Sequence, residues 1–248
     1  MKNQYCFLRL LPLLLALFVN IPSFAQISSG GMPPSFSYKT ENEILKSAIN
    51  LPIDFDVAAM RLEDKEREEY KIPPRVGKII PAHITTDNSG EWTTLPNGQE
   101  IWRLTLIAQD AIAIMLTYDK FEIPVGGKLF IYNDDHSRVL GAYTKDNNPL
   151  KVEYATEFVP GDQITLEYVH PSSAQYFDSP IVITGVVYGY NNLYIEKSQE
   201  GDPTRIDFGG SDPCQVNVKC PEGNAWAEQR DGVVRVITPT GGGYYSFV

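Results

Sequence analysis

The stretch Ile112-Ala113-Ile114-Met115-Leu116-Thr117-Tyr118 alternates large apolar residues with smaller ones. Side chains that repeat every second position line one face of a β-strand, so this run predicts a half-buried strand. Trp102, Leu104 and Leu106 share a face in the same way. Leu129-Phe130-Ile131-Tyr132, Val139 to Tyr143, Ile164 to Val169 and Ile181 to Tyr188 follow as further apolar runs. Turn residues separate them: Pro96-Asn97-Gly98, Val125-Gly126-Gly127, Asn133-Asp134-Asp135, Asp146-Asn147-Asn148 and Pro160-Gly161-Asp162. About nine short strands at such spacing predict a mainly β fold, an antiparallel, jelly-roll-like β-sandwich over residues 76–190. Asn97-Gly98 predicts a type I′ hairpin turn, which needs positive φ at both central positions.

Upstream of the sandwich the period changes. Glu41 to Ile49 predicts a short helix with Ile44, Leu45 and Ala48 on one side. Asp56 reads as the N-cap of a second helix that carries Val57, Met60 and the charged run Arg61 to Lys71, and Pro73-Pro74 ends it. The charged run reads as a solvated face. Gln26 to Tyr38 is rich in Ser, Gly and Pro and reads as a flexible lead, so residues 26–75 form a linker with short helices. Met1 to Ala25 has Lys2 and Arg9 beside the apolar run Leu10 to Val19, then Ser23-Phe24-Ala25. That is the pattern of a secretory signal cleaved before Gln26, too short to span a bilayer. The expected location is therefore secreted, extracellular or periplasmic, with no membrane attachment after cleavage.

The chain has 248 residues and a formal net charge of −10. That balance lacks the basic footprint a nucleic-acid partner requires. With 43% hydrophobic residues there is material for a sizeable core. The chemical inventory is thin. His83, His136 and His170 have no metal-ligand partner at helical or strand spacing and read as a strand residue, a turn residue and a strand end. Asp134-Asp135 could offer oxygen ligands to Ca²⁺ but reads first as a turn. No cofactor motif and no catalytic residue is assigned. Trp92 and Trp102 could stack on sugars in a binding module for carbohydrate or peptide, though their strand positions place them first in a core.

Asn191 to Gly210 loses all periodicity, and residues 191–208 read as an exposed linker open to proteases. Lys197 and Arg205 are its basic residues and the processing candidates. Cys214 and Cys220 are separated by Gln215 to Lys219, the wrong spacing for Cys-x-x-Cys chemistry. In an exported chain they are disulfide candidates, with each other or with cysteines elsewhere. The strand Val233 to Ile237 and the run Tyr244 to Val248 come next, joined through Gly241-Gly242-Gly243.

The segment Cys214-Gln215-Val216-Asn217-Val218-Lys219-Cys220-Pro221-Glu222-Gly223, with Trp226 and Gln229 before Val233, resembles the start of the mature domain in bacterial lysyl endopeptidases. These are chymotrypsin-fold serine proteases. Gly90-Glu91-Trp92, Ile101 to Leu104, Leu129 to Asn133 and Gly141 to Thr144 are similar to the pro-region of that family. The resemblance implies a secreted zymogen in which residues 209–248 open a trypsin-like β-barrel that is incomplete here. It also implies a contact between propeptide and protease within one chain, and a peptide or protein substrate only for a complete domain. The catalytic His, Asp and Ser of the family, and the partners of its early cysteines, have no counterpart in this sequence, so the chain as given is expected to be inactive. Two strands alone are expected to have unpaired edges and little to pack against.

Overall fold

The computed structural model describes residues 30–37, 47–70, 72–73, 75–171, 178–191, 226 and 236–247. The predicted signal, Lys197, Arg205, Cys214 and Cys220 lie outside them. In chain order the elements are β1 (Ala48–Asn50), α1 (Val57–Glu69), β2 (Arg75–Thr85), β3 (Glu91–Thr94), β4 (Glu100–Ile107), β5 (Ala113–Phe121), β6 (Lys128–Asn133) and β7 (Val139–Tyr143). They continue with β8 (Tyr154–Ala155), β9 (Val159–Pro160), β10 (Gln163–His170), β11 (Ile181–Gly189), β12 (Ile237–Pro239) and β13 (Tyr244–Phe247). Among the described residues no helix is long and apolar enough to cross a membrane.

The strands form two sheets, as a mainly β reading requires. The first has the order β1-β4-β10-β6-β7, with β3 also on β4. The second has the order β12-β13-β2-β11-β5-β8, with β9 also on β5. The period-two residues meet between them. Trp102, Leu104 and Leu106 of β4 and Leu166 and Tyr168 of β10 pack in one cluster with Ile114, Leu116 and Tyr118 of β5 and Ile183, Val186 and Tyr188 of β11. Burial of these alternating faces is the main force holding the sheets together.

The first sheet is also buried on its outer face. Ile101, Phe130, Tyr132, Ala142 and Val169 form a second apolar cluster there, against which Phe36 packs. The lead read as flexible therefore has a docked part: Pro34–Ser37 form a 3-10 turn, and Ser35 is buried. Phe36 stacks on His136 with ring centroids 4.0 Å apart.

Three local expectations are corrected. Ala48 and Ile49 are not helical but belong to β1, which runs parallel to β4 in register Ala48↔Thr105. The uncovered edge of β4 outweighs the weak helical spacing, and this pair also breaks the expected all-antiparallel order. At Asn97-Gly98 only Gly98 has positive φ, at 81°. The Gly98 N–H donates to the Leu95 carbonyl at 2.8 Å, so Pro96 and Asn97 occupy the centre of the turn and glycine follows in the left-handed region. Proline's fixed φ suits the first central position of an ordinary turn, so the reversal centres on Pro96-Asn97 and a three-residue loop forms in place of the type I′ turn. Finally, the helix begins where Asp56 predicts, with the Asp56 carboxylate accepting from the N–H groups of Ala58 and Ala59. Its charged run, however, is not uniformly solvated, because Asp64 has only 12% side-chain exposure.

Candidate functional site

The second sheet ends in an edge built from distant parts of the chain. β13 lies antiparallel to β2 with Tyr244 opposite Lys78 and Tyr245 opposite Gly77. The Ile79 N–H donates to the Gly243 carbonyl at 2.8 Å. β12 then pairs with β13 across the Gly241–Gly243 turn. The expectation that this hairpin has little to pack against is not met: β13 is paired on both sides, Tyr244 packs against the main core, and Ser246 is fully buried.

Arg75 opens β2 and is the centre of the edge. It is 4% exposed, unusually deep for a cation. Its guanidinium donates from Nη2 to Glu63 at 2.7 Å and to the Met60 carbonyl at 3.3 Å, and from Nε to Asp64. These bonds satisfy the charge and fix the planar group against α1. The Arg75 hydrogen bond holds the Glu63 carboxyl below its ordinary range. Asp64 also accepts from the Tyr190 hydroxyl at 2.7 Å. Burial first, and Asp64 second, push the Tyr190 phenol far up. The outer side of the guanidinium faces the Tyr244 ring, with Arg75 Cζ 4.0 Å from its centroid. Lys78 Nζ lies 4.5 Å from the same centroid and donates to the Tyr244 hydroxyl at 3.5 Å. One aromatic ring is thus held by two cations. The edge offers backbone pairing and an aromatic slot, which is binding chemistry.

The sequence singled out none of Glu63, Asp64, Arg75 and Lys78 for this role. The only local signal is Arg75 directly after Pro73-Pro74, and its partner Tyr244 lies at the far end of the chain.

The remaining sequence candidates fall into place separately. His83 is an exposed residue of β2, and His136 sits in a turn with φ 58°. His170 ends β10, 8% exposed, opposite Glu100. Its ring meets Trp92 edge-on at 5.9 Å. A recess of about 520 Å³ beside it is lined by Asn97, Gln99, Glu100 and Pro171 among others. Trp102 is fully buried and donates to the Ser89 carbonyl at 2.7 Å, so it is a core residue and not a sugar platform. Trp92 is 37% exposed and donates to the Thr86 carbonyl. Asp135 accepts from the Ser137 hydroxyl and N–H, which lowers its pKa, and Asp134 accepts from Gln163 at 2.8 Å. The Asp135 bonds close the turn and the Asp134 bond ties it to the start of β10, and among the described residues no group of three or more His, Cys, Asp or Glu is placed to hold a metal ion.

A second charged cluster lies under the N-terminal lead. Glu167 has no exposed surface and stands opposite Arg103 on paired strands, 3.5 Å from its Nε. Its carboxylate accepts from the Tyr132 hydroxyl at 3.2 Å and from the Ser35 N–H at 3.0 Å. Arg103 donates to the same Tyr132 hydroxyl at 3.1 Å. Burial, then the Glu167 charge, push the Tyr132 phenol up to about 12. This cluster ties the lead to the sheet.

No protein-family model matches this chain, and no solved structure matches it.

Proposed function

We propose that the sandwich is the pro-domain of a secreted serine endopeptidase precursor of the lysyl endopeptidase type. In this reading residues 209–248 are the opening of the protease domain, and the sandwich assists its folding and restrains it until cleavage. The observation that supports it most is the pairing of β13 with β2. The stretch similar to the opening of the protease includes a hairpin seated on the edge of the stretch similar to the pro-region. A pro-domain that templates folding needs such a contact, and strand addition to an open edge supplies it through backbone bonds. The linker with Lys197 and Arg205 lies between the two parts and is the place for processing. In this reading no catalytic residue is assigned within the sequence given.

Reading the coding sequence past Val248 tests the proposal. An in-frame segment with a His-Cys pair after the next strand is expected. An immediate stop codon overturns it. Trypsin treatment of the exported chain, followed by N-terminal sequencing, tests the processing site. Early cuts after Lys197 or Arg205 are expected, and early cuts within 76–190 with the linker spared overturn that assignment.

A further inference from the structure

We infer that the edge of β2 covered by β13 is a peptide-binding site in its own right, which holds an extended segment carrying glycine then tyrosine, residues 243–244 of this chain, without needing a covalent connection to it. This goes beyond the protease reading and does not depend on it.

Receptor and ligand come from opposite sides of the linker. Arg75, Lys78 and Ile79 are on β2, and Met60, Glu63 and Asp64 are on α1. All of them precede the linker. Gly243, Tyr244 and Ser246 lie beyond it. The guanidinium of Arg75 is fixed by Glu63, Asp64 and the Met60 carbonyl, none of which comes from the hairpin. The slot is therefore preorganised by the sandwich, which lowers the ordering cost of filling it. β2 is held on its other side by β11 over Gly77 to Thr85, so the receiving strand does not depend on its ligand for a neighbour.

The ligand side is specified at successive positions. Gly243 has φ 76°, and a Cβ there would come within 3.3 Å of Ile79 Cγ2. A residue at that position must both reach the left-handed region and clear the Ile79 side chain, which selects glycine. Tyr244 fills the slot between Arg75 and Lys78, and its hydroxyl accepts from Lys78. Ser246 is fully buried opposite Arg75, where its hydroxyl lies 3.3 Å from Thr240 Oγ1. Backbone pairing supplies general affinity, and these side chains supply selectivity.

The tether raises the local concentration of the hairpin and masks how tightly the edge binds it. Cutting the tether exposes the affinity. The test uses the exported chain beginning at Gln26, with a recognition sequence for a site-specific protease inserted between Ser198 and Gln199. Cys214 and Cys220 then lie on the same side of the cut, so no disulfide can join the two pieces. After cleavage the pieces are expected to co-elute in gel filtration at micromolar concentration. A labelled peptide of residues 236–248 is expected to exchange into the cut protein. Tyr244→Phe keeps the ring between the cations and is expected to remain bound. Tyr244→Ala is expected to weaken retention about tenfold, the scale of a partly desolvated cation–π contact. Both changes are on the ligand side and leave the sandwich intact, which circular dichroism of the cut protein verifies. Separation of the wild-type pieces while the sandwich stays folded overturns the inference. So does equal retention of the alanine and wild-type pieces. Neither outcome bears on the coding sequence past Val248, so the protease reading stands or falls separately.

Discussion

Glu167 is a carboxylate with no access to water, and its stability rests on neighbours contributed by other segments: Arg103, Tyr132 and Ser35. Removing one partner of a buried ion pair leaves the other charge uncompensated, which costs about 3–5 kcal/mol. Glu167→Ala is expected to lower unfolding free energy by that amount, read from the midpoint of urea denaturation. Replacing both partners together, Glu167→Leu with Arg103→Met, is expected to recover most of the loss. A double variant as unstable as the single one would show that the charges carry more than their own pairing. The same position shows where sequence reasoning stops. The side of β4 that carries Trp102, Leu104 and Leu106 is legible because alternation is local. Arg103, on the opposite side, looks like an exposed polar residue in that pattern. Only the β4–β10 register, which places Arg103 opposite Glu167, reveals a buried pair.

At the scale of elements, a boundary is legible when its cause is short-range. Asp56 caps α1 through two N–H groups at 2.8 Å and 3.0 Å, and both lie within three residues of it. Asp56→Ala is expected to cost about 1 kcal/mol, measured by thermal or urea unfolding. A loss well under half that would mean that packing of Met60 and the Arg75 contacts set the helix start alone. β1 is the opposite case. Its residues fit a helical face, yet they pair with Thr105 to Ile107 of β4, an edge that no local pattern announces. The Pro96-Asn97-Gly98 turn falls between the two. Its existence follows from composition, while its type follows from Pro96, whose fixed φ favours the first central position of an ordinary turn. β4, β5, β6, β7, β10 and β11 are legible as alternating or apolar runs because each presents residues to the core, whereas the two-residue strands β8 and β9 are too short to leave such a pattern. The edge pairing of β13 with β2 is not legible either, since it links the first long strand of the sandwich to the end of the chain across the linker.

For the whole molecule, the tyrosines set an alkaline limit. Burial is the first cause of the raised pKa at Tyr118, Tyr132, Tyr143 and Tyr190, with nearby phenols or carboxylates adding to it. These residues come from β5, β6, β7 and the position directly after β11, so the effect spans both sheets. An unfolded tyrosine loses its proton near pH ~10, where free phenols titrate. A folded one with a raised pKa keeps it longer, as Tyr132 does to about 12. Above pH ~10 the unfolded state therefore binds fewer protons than the native state, and stability must fall as pH rises. The contribution is fully present below the unfolded pKa and is lost as pH climbs through the folded values. Phenolate absorbance followed together with circular dichroism checks this. The buried fraction is expected to ionise late and in step with loss of β-sheet signal. Tyr132→Phe is expected to remove part of the slope between pH ~10 and about 12, the window set by its free and folded values. Full ionisation near pH ~10 with the sheet signal intact would mean that these phenols reach solvent without unfolding.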